Sequence, residues 1–147
     1  MACGSEPTGP AAFDVVAEAS FAVVADGDRG GRPLTAELTG AAEAPGPGDP
    51  DGSGSAIVAL NQGQEMVCFE ITVADIATPT ASHIHRAPAG VPGGVVVNFN
   101  VAANGLSGCV QVDAAWIKDI RQHPSAYYVN VHNADHPAGA VRGQLAK

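Results

Sequence analysis

The chain has 147 residues, a formal net charge of −8, 46% hydrophobic residues and 5% aromatic residues. That apolar fraction excludes a disordered polypeptide, and seven scattered basic residues exclude a basic patch for nucleic acid or an anionic membrane surface. No apolar run approaches the length of a membrane span, while 18 Gly and 11 Pro favour short strands and turns over long helices.

The N-terminus reads "MACGSEPTGPAA". Ala-Cys-Gly-Ser before a polar, Pro/Gly-rich stretch resembles the mature start of a bacterial lipoprotein, with Cys3 as the lipidated position. Residues 1–10 are expected to be a tether and residues 11–32 an N-terminal extension. Within that extension, "AAFDVVAEASFAVVA" mixes helix and strand preferences, and "DGDRGGRP" breaks the chain.

From residue 33 the pattern sharpens. "LTAELTG" alternates Leu34, Ala36 and Leu38 with Thr35, Glu37 and Thr39, a half-buried strand. "AAEAPGPGDPDGSG" is a long turn-rich loop whose aspartates lack calcium-loop spacing. "SAIVALN" and "EMVCFEITVAD" read as strands joined by a hairpin turn at "QGQ". "HIH", "GGVVVNFNV" and "SGCVQVD" read as further strands. "AAWIKDIRQHP" spaces Ala114, Ile117, Ile120 and Arg121 as one short helix ended by Pro124, with Trp116 expected in the core. "SAYYVNVHN" and "AVRGQLA" complete about eight strands. These elements predict an all-β fold, an antiparallel Greek-key sandwich or barrel with one short helix.

Cys68 and Cys109 lie in strand contexts, and Cys3 is the odd third cysteine. A Cys68–Cys109 disulfide with a separately used Cys3 accounts for all three in an oxidising compartment. Two free buried cysteines in a cytosolic protein are the alternative.

Alternation also sorts the histidines. In "HIH" it sends Ile84 to the core and His83 and His85 away from it. In "YYVNVH" it sends Tyr127, Val129 and Val131 inward and Tyr128, Asn130 and His132 outward. If those strands are neighbours, three imidazoles cluster, a donor set suited to zinc, copper, iron or nickel. The alternative is three unrelated solvated histidines. His136, in the turn "NADHPAG", is a candidate additional ligand, or merely an exposed turn residue. His123 precedes Pro124, where it can complement a helix C-terminus. Arg142 reads either as a guanidinium steering an anion toward the cluster or as a salt-bridge partner holding the last strand. No serine-hydrolase elbow, nucleotide fingerprint or paired-carboxylate site is recognisable.

"HIHRAPAGVPGGVVV", followed by "YYVNVHNADHPAGAVRGQL", resembles the CHRD domain, named after chordin and found also in bacterial extracytoplasmic proteins. The upstream "LTGAAEAPGPGDPDGSGSAIVALN" is similar to that family's opening. The resemblance assigns residues 33–147 to one CHRD domain and implies a secreted β-sandwich, with little said of activity. The order of elements is also similar to copper–zinc superoxide dismutase. That likeness implies His83, His85 and His132 as copper ligands and Arg142 as an anion-guiding residue, with Asp135 in the neighbouring loop. No histidine lies between 85 and 123, so the bridging histidine and zinc loop of that family are absent and any site is mononuclear.

The expectation is an extracytoplasmic domain, secreted or lipid-anchored, holding one transition metal, copper first and zinc second. A small oxidant or anion would enter the open position for superoxide dismutase-like redox chemistry, or the metal would simply be stored or delivered. The rival is a metal-free adhesion or protein-binding module on the cell surface.

Overall fold

The structure, a computed structural model, describes residues 33–147. The tether, the extension and Cys3 lie outside the described residues. Eight strands follow in chain order among the described residues: β1 (Leu34–Thr39), β2 (Ser53–Asn61), β3 (Met66–Ala74), β4 (Pro79–Arg86), β5 (Gly94–Asn98), β6 (Ser107–Gln111), β7 (Tyr127–Asn133) and β8 (Val141–Gln144). All pair antiparallel, in the order β5-β4-β7-β8-β1-β2-β3-β6. The sheet curls into a nearly closed barrel, as the all-β prediction requires.

The local causes are those the sequence suggests. On β1, Leu34, Ala36 and Leu38 are buried and the residues between them are exposed. The β2–β3 hairpin is fixed by Asn61, whose Oδ1 accepts from the Gln64 N–H at 3.0 Å, and by Glu65 in the left-handed region at φ 53°. Inward residues of the strands merge into one core around Val58, Phe69, Ile84, Val129 and Val141.

Three expectations need correction. The strand expected over residues 93–101 stops at Asn98, because Asn100 turns left-handed at φ 56°. Asparagine tolerates that conformation, and a one-turn helix, α1 (Val101–Asn104), begins just after it. The turn packs between β4 and β6, and its leading Phe99 stacks on Phe69 with ring centroids 4.2 Å apart. The helix expected near residue 114 is α2 (Ala114–Gln122), which buries Ile117 and Ile120. Trp116, however, is only half-buried, edge-on to Tyr127. A short 3-10 turn at Pro124–Ala126, not foreseen, leads into β7.

Cys68 and Cys109 face each other across β3 and β6 and form a disulfide. The bond ties the edge strand β6 to the barrel. Bonds of this kind persist where the environment is oxidising.

Candidate metal centre

Strands β4 and β7 are neighbours, with Ile84 opposite Val129 and His83 opposite Asn130. Ile84 and Val129 are fully buried on the inner face. The period of two then forces His83, His85 and His132 together on the outer face. Their ligating ring nitrogens all lie within 4.8 Å of one another. His83 Nδ1 and His132 Nε2 are 3.3 Å apart, about the 3.3 Å edge of a tetrahedron of nitrogens around zinc.

Strand alternation alone sends these rings outward, away from the core. The turn after β4 folds over that face, and His85 is 8% exposed. His85 Nδ1–H donates to the Gly93 carbonyl at 2.9 Å, and the Tyr128 ring lies parallel to the imidazole, centroids 4.7 Å apart. The Gly93 N–H donates to the Tyr128 hydroxyl at 3.1 Å, closing the clasp. His132 Nδ1–H donates to the Pro137 carbonyl at 2.9 Å. In both rings the Nδ1 proton is thus committed to a backbone carbonyl, so the neutral ring carries its lone pair on Nε2, facing the cluster. Metal-binding imidazoles are commonly oriented in this way.

Burial, followed by the neighbouring His132 and His85, pushes the His83 pKa down to about 4. His85 is lowered as well, chiefly by burial. Both rings are therefore neutral at neutral pH, the form that binds metal.

A carboxyl group stands behind the cluster. Glu43, from the turn-rich loop after β1, is buried at 8% exposure. The positive charge of Arg142 and the Asn130 amide both favour its ionised form, yet burial outweighs both and raises its pKa to about 7. Gly139, at φ +134°, leaves the room the carboxylate occupies. A Cβ there would come within 2.4 Å of its oxygens.

These shifts predict opposite pH effects on the metal-free protein. His83 titrates at about 4 when folded and near 6.5 when unfolded. Its contribution is complete above pH 6.5 and is lost as pH falls through 4. Glu43 contributes fully below pH 4.5 and loses that contribution as pH rises through 7. Each effect, about 3.4 kcal/mol before solvent screening, is reduced by screening to on the order of 2 kcal/mol. In urea unfolding, His83→Gln should flatten the acid side of the stability profile and Glu43→Gln the alkaline side. Unchanged slopes would contradict this assignment.

The other candidates are placed apart. Arg142 is 1% exposed. Its guanidinium lies 3.4 Å over the Tyr128 ring and donates from Nη2 to the Pro88 carbonyl at 2.9 Å and to Gln144 Oε1 at 3.2 Å. Of the two sequence readings, an anion guide or a tie on the last strand, its burial and its bonds to Pro88 and Gln144 accord with a tie between β8 and the covering turn. His136 is half-buried and stands outside the three-histidine group. Its backbone N–H donates to Asn133 Oδ1. Asp135 is exposed in the same turn. His123 is exposed and forms the C-cap of α2. Sequence reasoning missed Glu43 altogether and placed Asn130 on the correct face without a role.

Compared with known proteins, the family model of the CHRD domain matches residues 34–145. No curated protein and no solved structure matches the chain.

Proposed function

The chain belongs to the CHRD domain family, and from that premise we propose that it binds a single transition metal ion through His83, His85 and His132. The observation supporting this most is the convergence of three ring nitrogens on the outer face of β4 and β7, two of them on rings fixed by carbonyls at the opposite nitrogen. Neutral imidazole suits borderline divalent metals, and copper(II) stands above zinc in the general order of affinities. Copper is therefore the favoured ion and zinc the second.

Bound copper would supply one-electron chemistry; zinc would supply none. The chain's own contribution is to hold three rings in place, exclude bulk water from His85 and keep the Nδ1 protons of His85 and His132 on carbonyls away from the cluster. Storage or delivery of the ion needs nothing more, and redox turnover on a small oxidant is the narrower version of the same proposal. CHRD domains are typically extracellular, and the disulfide agrees with an oxidising location. Anchoring through a lipidated Cys3 is part of the proposal, and acyl chains on Cys3 in the native protein would support it.

The test is retention of metal. The protein is loaded with one equivalent of Cu²⁺ or Zn²⁺, passed through a desalting column and assayed for metal and protein. Near-stoichiometric retention is expected in the wild type and its loss in His132→Ala. Bound metal should also raise thermal stability, by about 2.7 kcal/mol at a hundredfold excess over Kd. A wild type that retains nothing would leave the metal-free adhesion module as the better reading.

A further inference from the structure

Asn130 lies in the middle of β7, 2% exposed. Its Oδ1 is 3.0 Å from His85 Nε2 and 3.0 Å from His132 Nε2. Those two nitrogens carry lone pairs when the rings are neutral, because each Nδ1 proton is held by a carbonyl. An amide oxygen has no proton to offer either. A His83 Nδ1–H can donate to His132 Nε2 at 3.3 Å, but His85 Nε2 and Asn130 Oδ1, 3.0 Å apart, have no proton between them, and a cation at this point would turn their repulsion into attraction.

Asn130 could remove the conflict by turning its NH₂ toward the rings. The Glu43 carboxylate opposes that turn. The Asn130 amide favours the ionised form of Glu43, as an amide does with its NH₂ end toward a carboxylate, and Oδ1 is the end that faces the imidazoles. Glu43 in turn is wedged under Gly139 and against Gly48, and Arg142 adds opposite charge beside it. The acidic, proline-rich loop after β1 thus reaches across the barrel surface to set the orientation of one amide.

We infer that Asn130 Oδ1 is the fourth donor of the metal centre, and that Glu43 is the positioning residue that keeps this oxygen turned toward the three imidazoles. The inference rests on the three-histidine reading above. It makes the donor set three nitrogens and one oxygen. Amide oxygen is a hard donor that supports Zn²⁺ and Cu²⁺ and adds little for soft Cu⁺. The centre therefore favours the divalent state, which suits holding a divalent ion better than cycling between oxidation states.

Competition titrations against chromophoric chelators at pH 8, where the Glu43 carboxyl is mostly ionised, with Zn²⁺ and separately with Cu⁺, test this in the full chain. Asn130→Ala is expected to weaken Zn²⁺ binding roughly 10- to 100-fold, the range typical of such site partners, and to leave Cu⁺ affinity within about threefold. Asn130→Asp keeps an oxygen at the position and is expected to hold Zn²⁺ at least as well as the wild type. It also guards against a folding defect in the alanine variant. In Glu43→Gln the side chain can accept from or donate to Asn130, so the orientation is no longer enforced, and Zn²⁺ affinity should fall between wild type and Asn130→Ala. Equal loss of Zn²⁺ and Cu⁺ in Asn130→Ala would show a general structural role and overturn the donor assignment. Wild-type Zn²⁺ affinity in Asn130→Ala would overturn it also, and wild-type affinity in Glu43→Gln would overturn the positioning role. A wild-type chain that binds neither ion overturns the three-histidine reading itself, an outcome distinct from all of these.

Discussion

Arg142→Lys is expected to lower the free energy of unfolding by about 2 kcal/mol, and Arg142→Met by about 3 kcal/mol. The guanidinium is planar, and its flat face stacks 3.4 Å from the Tyr128 ring. A desolvated cation–π contact of this kind contributes about 2 kcal/mol. Lysine keeps the charge but loses the planar group over Tyr128 and the Nη2 that reaches both the Pro88 carbonyl and Gln144. Methionine fills much of the volume but also removes the Arg142 charge that lowers the Glu43 pKa. Stripping one partner from a buried pair costs about 3–5 kcal/mol when the other remains charged, and the partial protonation of Glu43 near neutral pH reduces that figure.

The conservative variant separates two readings of this residue. If Arg142 steered anions by charge alone, lysine would preserve its function and the fold would be indifferent. As an internal tie it cannot be replaced in this way. Urea unfolding of both variants at pH 6.5, beside metal titration, decides the matter. Wild-type stability in Arg142→Lys would contradict the structural role assigned to it.

The second large effect is on the disulfide. Cys68 and Cys109 are 41 residues apart in sequence, and the segment between them carries β4, β5 and α1 along with two of the three histidines. Closing a loop of that length restricts the unfolded chain by an amount worth about 4 kcal/mol in the chain-entropy description. On the folded side, β6 pairs with β3 alone among the described strands, so the bond also clamps an edge. The double variant Cys68→Ala/Cys109→Ala is expected to lose about 2–4 kcal/mol. Part of the loss is the cavity left beside Ala59, which packs with the buried Cys68. Equilibrium unfolding with and without reductant measures it. A variant as stable as the oxidised wild type would show that the barrel edges are held by other contacts.

Much of the fold was legible because its causes are local. "LTAELT" alternates, and β1 alternates in burial. Ile84 between two histidines can only be inward if both imidazoles are outward, and that is how β4 is built. The pairing of β4 with β7 was not legible in either segment alone. It follows from the order of the whole sheet, which periodicity could not give.

What escaped the sequence reading is what covers the outer face. Strand periodicity divides inside from outside but cannot say whether a loop folds over the outside. The turn holding Gly93 does so, and His85 and Tyr128 are buried beneath it. Glu43 sits in a stretch of Ala, Pro, Gly and Asp, where a lone glutamate ordinarily means solvent. Its burial depends on Gly48 and Gly139, the latter almost one hundred residues away, leaving space for it. Arg142 looked like an available cation for the corresponding reason: no local pattern announces a Tyr128 ring one strand over.

The most direct measurement of the central claim is pulsed electron paramagnetic resonance on the protein holding one equivalent of Cu²⁺. Copper outranks zinc at most nitrogen sites, so it reports on the donor set whichever ion the protein holds in its native setting. A single Cu²⁺ species is expected, with modulation from imidazole nitrogens that disappears in the His83→Ala/His85→Ala/His132→Ala variant, which retains His123 and His136. A spectrum without imidazole modulation, or one unchanged by removal of those three side chains, would contradict the assignment of His83, His85 and His132 as one metal centre.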